Sequence, residues 1–173
     1  MSEKISIQDW LDFFNPTPLP DWEEFPDFEL YMDQLVSLAN RYLADLSDIA
    51  ITSSMVNSYV KKGILPRPEK KRYNSRHLAH LLVISLLKYV YSLETVKKSI
   101  DFVLENQSVE EAYRTFQELF NQTLEGIKVD QLPEVKDDAK HPRLETAETF
   151  AIRAVIYKTM SNQLLKNVEQ NML

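Results

Sequence analysis

The stretch ITSSMVNSYVKKGILPRPEKKRYNSRHLAHL, residues 51–81, decides how this chain is read. Thr52 is a predicted N-cap, its hydroxyl placed to accept an orphan backbone N–H, for a short helix over residues 53–62. Gly63, which enters the left-handed region without a Cβ clash, is its predicted stop. Val56, Tyr59 and Val60 then share one side, with Ile64 just past the end. Ser54, Asn57, Ser58 and Lys61 fall three or four residues apart on the other. Pro66 and Pro68 break helix, so the segment to Tyr73 is expected to be extended, with a two-stranded wing around residues 65–73. Asn74 or Ser75 caps the next helix, expected to run to about Tyr91.

Charge singles out the same stretch. Residues 53–80 hold Lys61, Lys62, Arg67, Lys70, Lys71, Arg72 and Arg76 against one acid, Glu69, a local charge of +6. The whole chain carries -6, so everything else amounts to -12. A basic island in an acidic chain points to a localised anionic partner; the alternative is an ordinary solvated patch. The face of Ser54, Asn57, Ser58 and Lys61 is small, polar and basic, and has no carboxylate. That is the surface a helix needs to enter a DNA major groove. Asparagine pairs with an adenine edge, serine bonds phosphate or base, and lysine reaches backbone or guanine. Lys62, Arg67, Lys70, Lys71, Arg72 and Arg76 are expected to hold phosphates, some from the wing.

Short helix, glycine turn, basic loop and helix together make the outline of a winged helix-turn-helix. The order from Met55 to Leu78 resembles the DNA-binding head of MerR-type regulators in Tyr59, Gly63, Ile64-Leu65-Pro66, Lys71, Tyr73 and Leu78. Asn57 stands where that family usually has arginine, Ser58 where it often has tyrosine, and His77 where it has an acid. The chain is also similar, more closely, to a domain-of-unknown-function family from low-GC Gram-positive bacteria. The shared stretches are LYMDQL (30–35), ITSSMVNSYVKKGILPRPEKKRY (51–73) and HLAHLLVISLLKYVYSLETV (77–96), within a resemblance covering about residues 22–125. That resemblance implies a MerR-like helix-turn-helix and supplies no effector.

Outward from this centre the pattern is helical. LAHLLVISLLKYV (78–90) is apolar nearly all round, so its helix is expected at the centre of the fold. Upstream, residues 29–46 read as an amphipathic helix with Leu30, Tyr31, Leu35, Leu38, Ala39, Tyr42, Leu43 and Leu46 on its stripe. Before it, residues 1–28 form an aromatic, proline-rich arm. It holds a short helix over 5–14, capped by Ser6 with Ile7, Trp10, Leu11 and Phe14 on one face, then Trp22, Phe25 and Phe28, expected to pack down. Downstream, Ser92 opens a fourth helix carrying Val96, Ile100, Phe102, Val103 and Leu104. The Ser108-to-Glu111 capping box opens a fifth, with Ala112, Phe116, Leu119 and Phe120 inward and Gly126 as its end. Residues 126–143 read as loop. Residues 144–173 hold a last helix whose stripe of Ala151, Ala154 and Val155 is either a dimer seam, the reading we favour, or packs back on helices four and five.

Several function classes lack their residues. The absence of cysteine removes disulfides, thiolate metal sites and cysteine nucleophiles. Two glycines, Gly63 and Gly126, cannot build a phosphate-cradling loop. His77 and His80 are a helical turn apart, but with no adjacent third ligand, so no metal or cofactor is expected. No acid–base or nucleophile constellation marks an enzyme. No apolar run reaches the roughly 20 residues of a membrane span, and the N-terminus lacks signal-peptide order, so a cytoplasmic protein is expected. The expectation is an all-α protein with a MerR-like winged helix-turn-helix head over residues 29–125 and further C-terminal helices. It would act as a homodimeric, double-stranded-DNA-binding transcriptional regulator. The alternative is a helical interaction module whose basic face binds an acidic protein.

Overall fold

The computed structural model describes residues 17–47 and 49–130, together with residues 150, 153, 154, 157 and 158. The chain divides into two units, Pro16–Glu125 and the pair of segments Met1–Asn15 and Gly126–Leu173. The predicted helix over 5–14 and most of that over 144–170 lie outside the described residues; Phe150, Arg153, Ala154, Tyr157 and Lys158 are helical.

In the Pro16–Glu125 unit a single 3-10 turn, Trp22–Glu24, precedes α1 (Met32–Tyr42), α2 (Ser53–Lys61), α3 (Ser75–Leu87), α4 (Leu93–Leu104) and α5, which starts at Val109 and runs on to Asp130. The fold is all-α. Among the described residues strand pairing is limited to two isolated antiparallel bridges, Leu30 with Tyr73 and Glu69 with Arg72. The caps are those the sequence offers. Thr52 Oγ1 accepts the Met55 N–H at 3.2 Å, Asn74 Oδ1 the Arg76 N–H at 3.1 Å, and Ser92 Oγ the Thr95 N–H at 3.1 Å. Ser108 and Glu111 bond each other's backbone N–H, closing the capping box.

The apolar helix is the centre. His77, Leu78, Ala79, His80, Leu81, Leu82, Ile84 and Ser85 of α3 are all buried. Leu35 and Ala39 of α1, Val56 and Tyr59 of α2, Val96 of α4 and Tyr113 of α5 join them in one core. α1 packs on α2 and α3, and α3 on α4. Truncating a fully buried leucine such as Leu82 to alanine is expected to cost about 2–5 kcal/mol.

The arm packs partly as expected. Leu19 and Phe25 are buried, and Phe25 meets Tyr113 and Tyr42 with ring centroids 4.9 and 6.1 Å apart. Phe28 is exposed instead. The arm is held to α5 by polar groups. Asn121 accepts the Leu19 N–H (2.8 Å) and donates to its carbonyl (3.0 Å), Tyr113 donates to the Pro20 carbonyl, and Arg114 pairs with Glu23 and Glu110.

Five expectations are corrected. α1 starts at Met32, since both backbone groups of Leu30 are bonded to Tyr73; Tyr31 therefore leaves the inward stripe and is half-exposed. α1 ends at Tyr42, and Asn40 bonds the Ile51 backbone to draw in the following loop. α3 ends at Leu87, four residues early. Gly126 does not end α5, which reaches Asp130; a lone glycine costs a helix only about 1 kcal/mol, and no proline intervenes before Pro133. Leu119 is exposed, not inward.

Candidate nucleic-acid interface

Helix α2 buries Val56 and Tyr59 and leaves Ser54, Asn57 and Lys61 exposed, with Ser58 half-buried. The partition follows from the sequence spacing: residues three and four apart stack on one face, and the apolar set turns to α1. The end of α2 is a Schellman motif. The Ile64 N–H bonds the Tyr59 carbonyl at 3.0 Å, the Gly63 N–H bonds the Val60 carbonyl at 3.1 Å, and Gly63 sits at φ 68°. Buried Ile64 and Tyr59 supply the apolar contact that accompanies this cap. Lys62 is exposed at the exit.

From there the chain turns through Arg67, exposed, into a tight hairpin. Glu69 and Arg72 pair across it, with the Arg72 N–H 2.7 Å from the Glu69 carbonyl. The two central residues, Lys70 and Lys71, have φ of 47° and 63°. Positive φ at both positions is the signature of a type I′ turn, which ordinarily takes Asn-Gly because a Cβ is disfavoured there. Here two exposed lysines hold those positions. This is a hairpin of one bridge, shorter than the two-stranded wing expected over residues 65–73.

Three contacts fix the returning arm. Leu30 and Tyr73 exchange backbone hydrogen bonds of 2.7 and 2.9 Å. The Arg72 guanidinium lies 3.8 Å from the centre of the Tyr31 ring. The Tyr73 ring meets His77 edge-on with centroids 5.3 Å apart. His77 ties this arm to α3. Its Nδ1 accepts the Asn74 N–H at 3.1 Å, serving where a capping box has glutamate, and also lies 2.9 Å from Asn74 Oδ1, while its Nε2 lies 3.3 Å from the Arg67 carbonyl oxygen. Burial lowers the His77 pKa, opposed by its bond to Arg67 and by Glu69. Burial likewise raises the pKa of Tyr59 and Tyr73.

The structure thus gathers Arg67, Lys70, Lys71 and Arg72 on one hairpin braced against α1 and α3, with Arg76 exposed on the first turn of α3. Ser54, Asn57 and Lys61 occupy the open face of α2. Among the described residues, Lys61, Lys62, Arg67, Lys70, Lys71, Arg72 and Arg76 have no carboxylate partner within 4 Å, whereas Arg114, Lys97 and Lys98 are all paired. Tyr31 is the member of this region that sequence reasoning missed; its place beside Leu30, whose backbone pairs with Tyr73, has no local signature. Also among the described residues, no three of His, Asp and Glu come together as a metal site, and no helix is long and apolar enough to cross a membrane.

Residues 20–122 match the family described as Domain of unknown function (DUF1836). The chain belongs to that family. The DUF1836 match takes in α1 to α4, the hairpin and most of α5, and so contains every residue of the basic region. No curated protein and no solved structure matches the chain.

Proposed function

We propose that the protein binds double-stranded DNA as a transcriptional regulator, with α2, the hairpin and α3 forming a MerR-like winged helix-turn-helix. Ser54, Asn57, Ser58 and Lys61 would face the major groove. Lys62, Arg67, Lys70, Lys71, Arg72 and Arg76 would hold phosphates. The observation that carries this reading is the hairpin tip. Lys70 and Lys71 occupy two successive left-handed positions at a cost on the order of 1–3 kcal/mol each, where a relaxed turn would carry Asn-Gly. Strain retained at an exposed turn, for two unpaired positive charges, fits a tip that meets an anionic polymer.

The acidic remainder of the chain supports the same reading, since it confines contact to the basic face. A symmetric site read by a homodimer is part of the proposal; two-fold operators reward two-fold proteins. The test is selection of bound fragments from a random duplex library at physiological salt, with the wild type beside a Lys70→Glu/Lys71→Glu variant. Recovery of a palindromic motif that the variant loses is expected. A folded wild type that enriches nothing would overturn the proposal in favour of an acidic protein partner for this face.

A further inference from the structure

His77 joins the hairpin to the start of α3. It is 6% exposed and stands in the first turn of that helix. Its Nε2 faces the Arg67 carbonyl oxygen at 3.3 Å. Its Nδ1 faces two groups of opposite kind, the Asn74 N–H at 3.1 Å and Asn74 Oδ1 at 2.9 Å. A neutral ring with its proton on Nε2 accepts the Asn74 N–H and donates to Arg67. A charged ring, protonated on both nitrogens, donates to Asn74 Oδ1 and to Arg67 without leaving its place. Asn74 Oδ1 can take that bond, since an amide oxygen has two acceptor sites and the Arg76 N–H occupies one.

The surroundings divide between the two forms. Burial favours the neutral ring and the Arg67 carbonyl the charged one; His80, one turn on in α3, opposes the charge, and Glu69 of the hairpin favours it. Tyr73, which meets the ring edge-on, is an uncharged phenol whose pKa burial raises from 10. The side chains of Arg67 and Arg76 are exposed, and their charges oppose a further cation between them. Phosphates held by these arginines would remove that opposition.

We propose that His77 is a positioning residue whose protonation is coupled to anion binding: a duplex seated on the hairpin and α3 draws a proton from solvent onto Nδ1, and affinity for DNA rises as pH falls. The inference rests on the DNA-binding reading. The charged ring holds the root of the hairpin to α3 through two charge-assisted bonds and adds one positive charge beneath the phosphates. The complex then binds more protons than the free chain, so lower pH strengthens binding.

The test is fluorescence anisotropy of a labelled random-sequence duplex with the full chain, at fixed salt, between about pH 7.5 and pH 6.0. Phosphates alone supply the coupling, so no operator is required. The wild type is expected to bind about fivefold tighter at the lower pH. His77→Gln, which can still accept the Asn74 N–H, is expected to change by less than about twofold, and His80→Gln to keep the wild-type response. A purely structural role for His77 would instead weaken the glutamine variant by the same factor at every pH. If His77→Gln does not fold, the ring Cε1–H resonance of His77 is titrated in the wild type, and its midpoint is expected to move to higher pH when the duplex is present. Binding without a pH response, the same response in wild type and His77→Gln, or a His77 midpoint indifferent to the duplex would each overturn the coupling and leave the DNA-binding reading standing. No binding at any pH would overturn both.

Discussion

The Arg72 guanidinium lies over the Tyr31 ring, 3.8 Å from its centre, and so fixes a hairpin cation to the residue that precedes α1. The contact does two things. It holds a flexible cation in one place before any partner arrives, and it leaves the guanidinium edge free for hydrogen bonds. Removing the ring should loosen the arginine without touching its charge. Tyr31→Ala is expected to lower unfolding free energy by about 0.5–1 kcal/mol and to weaken duplex binding several-fold, while Tyr31→Phe keeps both. Fluorescence anisotropy on a labelled duplex, with urea unfolding alongside, separates the two effects. Equal losses for alanine and phenylalanine would mean the hydroxyl, not the ring face, is what matters.

The hairpin tip sets stability against charge. Replacing Lys70 by Asn and Lys71 by Gly installs the residues that a type I′ turn favours. The double variant is expected to gain about 1–2 kcal/mol of stability and to lose about 1.8 from the log–log salt slope of DNA binding per protomer, at about 0.9 per phosphate released. A melting temperature that rises with an unchanged salt slope would place the two lysines away from the duplex.

Much of this organisation was legible in the chain because it is local. Thr52, Asn74, Ser92 and Ser108 each cap a helix within three residues of themselves, and Gly63 must be left-handed where it stands. The buried side of α2 follows from Val56 and Tyr59 being three apart. What was not legible depends on distant partners. Leu30 looks like the first apolar residue of α1 until Tyr73, more than forty residues on, takes its backbone bonds. Leu119 has the right spacing to face inward, but α5 turns Tyr113 to the core and leaves Leu119 at the rim of a cavity. His77 looks like a departure from an acidic position; only the fold shows that its ring performs the capping bond a carboxylate would make. The basic region itself was visible as composition, but its bracing by Tyr31 was not.

Asn57 is exposed on α2, and under the proposed function its amide would read a base edge. Asn57→Ala is expected to cost about 1–3 kcal/mol on the selected duplex and little on a scrambled one, with helix stability nearly unchanged. Competition binding with the two duplexes measures the difference. The same loss on both would remove Asn57 as a reader of sequence.

Ser85 lies in the last turn of α3, 1% exposed, and its hydroxyl has no hydrogen-bond partner. An unsatisfied buried hydroxyl destabilises, and serine is also a poorer helix former than alanine. Ser85→Ala is therefore expected to raise unfolding free energy by about 1 kcal/mol, despite the small void it leaves. A chemical denaturation midpoint at or below the wild-type value would show that the hydroxyl has a role within the core.

Acid should expose the two buried histidines. Burial holds the pKa of both His77 and His80 below 6.5 in the folded chain, while the unfolded chain titrates near that value. Between the folded values and 6.5 the unfolded state binds more protons, so their contribution is complete above pH 6.5 and is lost as pH falls through the folded values. The slope is at most about 1.4 kcal/mol per pH unit for each ring. Glu23, Asp45 and Glu111, whose pKa values are also lowered, by Arg114, Thr17 and Ser108 respectively, act below their ordinary values of 4.5, 3.8 and 4.5, outside this window. Urea unfolding at pH 7.5 and 5.5 should then show a drop that a His77→Gln/His80→Gln chain largely lacks. Glutamine at position 77 can still make the capping-box bond to the Asn74 N–H, so the variant removes the titration more than the cap. If the wild type and the variant lose the same stability over that interval, the acid response has its source in groups other than these two rings.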